Sequence, residues 1–221
     1  MADWEYVLFD LDGTITDSSQ GIIRCIEYAL HAAGRPIPDK QILLQFIGPP
    51  LVIGFQEIMG MTRDEAEWFK DKYRERYQTI GLFEAEIYAG IDRVLALLRQ
   101  QGKKISLATS KPEETATRIL DHFGLLSYFD ETTGATMDGS RDSKEDVIRE
   151  ALKRFHITDE KKDRVLMVGD RKMDVAGARQ CGIASLGVYY GFAEQGELEA
   201  AGADYIAQDM DSLLHFFDTY I

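Results

Sequence analysis

The sequence predicts an α/β protein: a parallel sheet with helices on both faces, interrupted after its first strand by a helical insert. Three observations carry this. Tyr6 to Phe9 is a continuous apolar run rather than an alternating one, as expected of a strand covered on both faces in a parallel sheet. No strand-like run occurs between Asp17 and Ile80. After Tyr88-Ala89-Gly90, short apolar runs alternate with amphipathic stretches, the pattern of βα units.

Taken in order, the run YVLF stops abruptly at Asp10. Ile22, Ile23, Ile26, Ala29, Leu30 and Ala33 then recur at helical spacing. Thr62 and Glu65 form a capping box ahead of the stripe Ala66, Phe69, Tyr73, Tyr77. In this block Trp68, Phe69 and Tyr73 are read as core packing, and Gly48-Pro49-Pro50 as a loop between helices. Beyond residue 88 come the helix IDRVLALLRQQG, the strand KISLATS, the helix KPEETATRILDHFG, a strand at Thr132 to Ala135, the helix EDVIREALKRF and the strand VLMVGD. Strands at Ile183 to Val188 and Asp204 to Ala207 and a helix at Met210 to Phe217 complete the chain. The simplest organisation is a core of residues 1–15 and 88–221 with an insert at 16–87, of a size usual for a small domain. Hinges are expected near Thr16-Asp17 and Tyr88-Gly90, where the chain crosses between them.

A chain of 221 residues can bury a sizeable core, and 45% hydrophobic with 29% charged residues is ordinary for a folded protein. Cys25 and Cys181 stand far apart in no metal-binding pattern and are expected as buried thiols. The N-terminal MADWEYVLFDLDG lacks a basic lead, and its apolar run is too short for a signal peptide or a spanning helix, so the expectation is a cytoplasmic protein without a membrane partner. A formal charge of −13 disfavours nucleic acid, whose binding requires Lys and Arg to neutralise several phosphates. A small anion stays compatible if a metal and a few cations reverse the field inside one pocket.

Parallel sheets bind ligands outside the carboxyl ends of their strands. VLF is followed there by Asp10-Leu11-Asp12-Gly13-Thr14, ISLA by Thr109-Ser110-Lys111-Pro112, and VLMVG by Asp170-Arg171-Lys172-Met173-Asp174. Four carboxylates converging on one edge would repel one another without a cation. Oxygen-only donors with no histidine nearby favour Mg²⁺ over zinc. Carboxylates, a metal, hydroxyls and a lysine are equipment for phosphoryl transfer. Asp10 could attack phosphorus, and Asp12, two residues on, could exchange a proton with the leaving oxygen and then with water.

Each piece alone has a plainer reading. DG between apolar residues is a hairpin signal; an EF-hand is excluded because Gly13 stands at the fourth loop position instead of the sixth. Thr109 and Ser110 could cap a helix with Pro112 in its first turn, and Asp174 could cap the next helix. Lys111, Lys144 and Lys172 all compete as phosphate ligands. The joint occurrence at successive strand ends is the feature that favours chemistry.

DLDGT, Thr109 at the next strand end, a lysine opening a helix and GDRKMD after a third strand resemble the haloacid dehalogenase superfamily, over nearly the whole chain and including the position of a helical cap. FIGPPL, ATSKP and GSRDSK bring it nearest to the phosphoglycolate phosphatase and 5'-nucleotidase branch. The resemblance implies a Rossmann-like core, Asp10 as the residue that forms an aspartyl-phosphate and Asp12 as acid/base. It implies Mg²⁺ on Asp10, on the backbone carbonyl of Asp12 and on Asp170, with Asp174 supporting the metal or Lys144. Thr109 and Lys144, together with Gly13 and Ser110, would hold the phosphoryl group, and Lys111 remains a second contact. Dehalogenases of the superfamily lack the second aspartate, so Asp12 argues for phosphate chemistry. The expected substrate is a small soluble phosphate ester, phosphoglycolate or a nucleoside 5'-monophosphate, with the cap loop near FIGPPL facing the site. Two rivals remain: a phosphomutase, and a phosphoaspartate switch of the receiver type, whose acids come in a different order and which has no helical insert.

Overall fold

The computed structural model describes residues 4–220. Its contacts divide the chain into two compact units, residues 1–16 with 87–221 and residues 17–86. Each boundary lies one residue from the position read from the sequence.

In chain order the first unit begins with β1 (Tyr6–Phe9), and the two-residue strands β2 (Thr16–Asp17) and β3 (Glu86–Ile87) pair where the chain passes between units. Between them lie α1 (Ser19–Ala32), α2 (Lys40–Leu44), α3 (Leu51–Met59) and α4 (Arg63–Tyr77). The chain continues through α5 (Ile91–Gln100), β4 (Lys104–Pro112), α6 (Glu113–His122), β5 (Glu131–Ala135) and α7 (Lys144–Arg154). It ends with β6 (Val165–Gly169), α8 (Lys172–Cys181), β7 (Ala184–Val188), α9 (Glu197–Ala201), β8 (Tyr205–Ala207) and α10 (Met210–Tyr220).

Six strands form one parallel sheet in the order β5-β4-β1-β6-β7-β8. Residues 7–17 are therefore not a hairpin: β1 is central and its partners are distant in sequence. Side chains alternate across the strand. Leu8 packs with Val147, Ile148, Ala178 and Cys181 of α7 and α8, while Phe9 meets Phe217 of α10 with ring centroids 6.3 Å apart. Val7, Leu8 and Phe9 are fully buried, each worth about 1.5–3 kcal/mol of transfer free energy. This explains the unbroken apolar run.

In the second unit Ile22, Ile26, Ala29 and Leu30 of α1 and Ala66, Phe69, Tyr73 and Tyr77 of α4 are buried, whereas Ile23 is half-buried and Ala33 is exposed because α1 ends at Ala32. Phe55 of α3 is fully buried, its ring centroid 5.0 Å from that of Phe46 and 5.3 Å from that of Phe69. The expected capping box forms: Glu65 N donates to Thr62 Oγ1 at 3.3 Å and Thr62 N to Glu65 Oε2 at 2.9 Å. Trp68 corrects one expectation. Phe69 and Tyr73 are buried, but Trp68 is 43% exposed, because neighbours on a helix point about 100° apart and the inward face is already taken. Its ring lies under the Lys72 ammonium, 5.8 Å away. Cys25 and Cys181 are both buried and form no disulfide. Among the described residues no helix is long and apolar enough to cross a membrane.

Candidate active site at the carboxyl edge of the sheet

Register brings the chemistry together. Phe9 pairs with Leu107 on one side and Val168 on the other, so Asp10, Ala108 and Gly169 lie level, and Thr109 and Asp170 come one residue later. Asp10 N donates to Val168 O at 2.9 Å, which continues the ladder one step past the strand.

Lys144, the first residue of α7 behind its Ser143 cap, reaches back under this edge. Its Nζ lies 2.9 Å from Asp10 Oδ1, 2.8 Å from Asp174 Oδ1 and 3.0 Å from Ala108 O. Among the described residues, Asp10 Oδ1 and Asp174 Oδ1 receive no hydrogen bond besides this ammonium. Burial opposes the charge on Lys144, but Asp10 and Asp174 outweigh it and hold its pKa above the ordinary lysine value. Lys144 is thus the lysine on the nucleophile candidate, and the alternative of a solvated helix residue is excluded.

Asp174 sits in the first turn of α8 and accepts from Arg171 N at 3.0 Å; Arg171, not Asp174, is the cap position. Burial pushes its carboxyl up to about 6 against the pull of Lys144. Asp170 is fully buried, accepting from Thr14 Oγ1 at 3.3 Å and from Phe192 N at 2.7 Å. Burial, then the charges of Asp174 and Asp10, raise its carboxyl well above the usual range.

Asp12 Oδ2 lies 3.0 Å from Lys111 Nζ, and its other oxygen is buried without a hydrogen bond. Thr109 is buried at the end of the regular ladder and accepts from Lys111 N at 3.2 Å. The capping alternative fails for Thr109 and Ser110, because the strand runs on to Pro112, which is itself the cap of α6. Ser110 comes next, half-buried beside the site. Gly13 has φ of 84°, and a Cβ there would fall 2.0 Å from Asp170 Oδ2, so this glycine leaves room for Asp170.

Oxygen atoms of Asp10, Asp170 and Asp174 lie within 4.8 Å of one another. Their four carboxylates, counting Asp12, face two ammonium groups, a shortfall equal to one divalent cation. All donors are hard oxygens. The residues present therefore fit Mg²⁺, which Asp10, Asp170 and Asp174 could hold, the last being also paired with Lys144.

One element escaped the sequence reading. After β7, Tyr190-Gly191-Phe192 closes over Asp170: Tyr190 Oη donates to Thr14 O at 2.9 Å and Phe192 N holds the carboxylate. The available signal was position alone, since this turn succeeds the apolar run Ile183 to Val188 and so lies at the same edge as the other strand ends. A Cβ at Gly191 would fall 2.2 Å from Gly13 O and 2.5 Å from Asp170 Cβ. Gly191→Ala is expected to displace Asp170 and, if the site holds Mg²⁺ as proposed below, to raise the Mg²⁺ concentration for half-maximal activity about 10–100-fold, as for other groups that orient metal ligands. A metal titration measures this, and an unchanged midpoint would refute the packing argument.

The haloacid dehalogenase-like hydrolase family matches residues 7–188. The chain belongs to that family. It is 37% identical to a 5'-nucleotidase of Pseudomonas aeruginosa, covering 97% of this chain and 96% of that one. It is 40% identical over 188 residues to tyrosine-protein kinase PtkA of Mycobacterium tuberculosis, 85% of this chain but 63% of the kinase. The crystal structure of a predicted phosphatase from Clostridium acetobutylicum superposes with a TM-score of 0.90 at 40% identity, covering 96% of this chain and 97% of that one.

Proposed function

We propose that this haloacid dehalogenase-like hydrolase is a Mg²⁺-dependent phosphomonoesterase acting on a small soluble phosphate ester through an aspartyl-phosphate on Asp10. The observation that carries the reading is the buried group of Asp10, Lys144, Asp174 and Asp170, with Asp12 two residues from Asp10 and turned to a second lysine. Asp10, Asp170 and the Asp12 carbonyl would hold a divalent cation, which when bound would supply charge neutralisation to the phosphoryl oxygens.

The chain's own groups do the rest. An Asp10 oxygen attacks phosphorus while Lys144, 2.9 Å from Asp10 Oδ1, holds that carboxylate in place. The bond from phosphorus to the ester oxygen breaks, and Asp12 gives that oxygen a proton. Asp12 then takes a proton from water, whose oxygen attacks phosphorus; the bond to Asp10 breaks and inorganic phosphate leaves. Thr109, where the regular ladder of β4 ends one residue beyond the level of Asp10, would hold a phosphoryl oxygen. The FIGPPL, ATSKP and GSRDSK segments support phosphoglycolate and a nucleoside 5'-monophosphate alike, and the likeness to a 5'-nucleotidase adds support to the second.

The likeness to a tyrosine kinase favours a second reading, transfer of the phosphoryl group to another hydroxyl. It is weakened because this chain spans 63% of that kinase. Release of inorganic phosphate from phosphoglycolate, nucleoside monophosphates and sugar phosphates, with Mg²⁺ and with EDTA, separates the two. Metal-dependent release is expected from at least one ester. Release indifferent to EDTA would remove the metal from the reading, and transfer without release would favour the kinase-like one.

A further inference from the structure

The two lysines at this edge divide between the two aspartates of the DLDGT turn. Lys144 stands on Asp10, with three acceptors within 3.0 Å of its Nζ. Lys111 stands on Asp12, 3.0 Å from Oδ2, with 7% of its side chain exposed. A buried ammonium is costly to place without a partner.

The backbone is built to place it. Thr109 pairs with Gly134 and Pro112 with Ala135, so Ser110 and Lys111 are two extra residues in β4. Such bulges re-aim side chains beside active sites. A Cβ at residue 134 would lie 2.6 Å from Lys111 O, so only glycine lets the bulge lie against β5. Asp10 marks the phosphorus side of the site and Asp12 the side of the departing oxygen. Lys111 is therefore on the leaving-group side, next to an Asp12 oxygen that is buried and receives no hydrogen bond.

We propose that Lys111 is a specificity-determining residue whose ammonium binds an anionic substituent beside the ester oxygen, so that the preferred substrates are phosphate monoesters carrying a carboxylate or second phosphate one or two carbons from that oxygen. This rests on the reading of Asp10 as nucleophile and Asp12 as acid/base. A nucleoside 5'-monophosphate offers neutral ribose at that position and leaves Lys111 on Asp12. Phosphoglycolate offers a carboxylate there.

Matched ester pairs test it: phosphoglycolate against ethyl phosphate, and 3-phosphoglycerate against glycerol 3-phosphate. The wild-type kcat/KM should be higher for the acidic member of each pair. Lys111→Met should lower it for the acidic members about 10–100-fold, chiefly through KM, the size of a lost charge-assisted hydrogen bond. Whatever Lys111→Met costs through its contact with Asp12 falls on both members of a pair, so the acidic-to-neutral ratio of kcat/KM is the readout, with circular dichroism as the folding control. Lys111→Arg should keep the preference. If Lys111→Met does not fold, Lys111→Gln is measured in the same way. Equal losses on both members of each pair, or no wild-type preference for the acidic ones, would overturn the assignment of Lys111 alone. Asp10→Asn with undiminished turnover of p-nitrophenyl phosphate would instead overturn the phosphatase mechanism, and the role of Lys111 with it.

Discussion

Asp10→Asn is expected to lower phosphate release from every ester by roughly 10³-fold or more, the scale of removing a covalent nucleophile. The amide has the carboxylate's shape but cannot attack phosphorus. The fold should survive, because Lys144 retains Asp174 Oδ1 at 2.8 Å and Ala108 O at 3.0 Å, and a cluster rich in negative charge loses one member. Initial-rate phosphate release, with circular dichroism as the folding control, measures the effect. A folded variant keeping a tenth of wild-type activity would show that another group makes the bond to phosphorus.

Asp170→Asn is expected to separate stability from function. In the metal-free protein Asp170 is fully buried, and burial with the charges of Asp174 and Asp10 disfavours its ionised form. Asparagine removes that charge without changing volume. Its amide oxygen can accept from Phe192 N, and its amide nitrogen can donate to the Thr14 hydroxyl once that group rotates. Relief of about 1–2 kcal/mol would raise the melting temperature of the metal-free protein by roughly 2–8 °C for a chain of this size. Mg²⁺ should stabilise the wild type by mass action and leave the variant nearly unmoved. Phosphate release should fall sharply. Thermal melts with and without Mg²⁺ give both readings. A metal-dependent shift of wild-type size in the variant would remove Asp170 from the cation site.

Much of the site was legible because its residues sit at strand ends. Asp10, Thr109 and Asp170 each come directly after an apolar run, and a parallel sheet puts all such ends on one edge. Trp68 shows where periodicity loses force: an aromatic next to an inward-facing one reads as core, and only packing reveals that the face is full. The Tyr190-Gly191-Phe192 turn was missed because its contribution to Asp170 is a backbone amide and a space, and neither carries a side-chain signature. Lys111 and Lys144 were both visible as candidates, and only the resemblance to the family preferred Lys144. Nothing local separates them, since the choice depends on a two-residue bulge in one strand and on the reach of a helix's first residue.

The sequence by itself determined the class of fold, the order of its elements and the chemical kinds gathered at the sheet edge, because apolar periodicity and strand ends are properties of neighbouring residues. Only the tertiary structure decided which lysine serves which aspartate and which loop braces Asp170. Those outcomes depend on strand register and close approach between residues as far apart as Asp12 and Lys111 or Gly13 and Gly191, distances that no local pattern records.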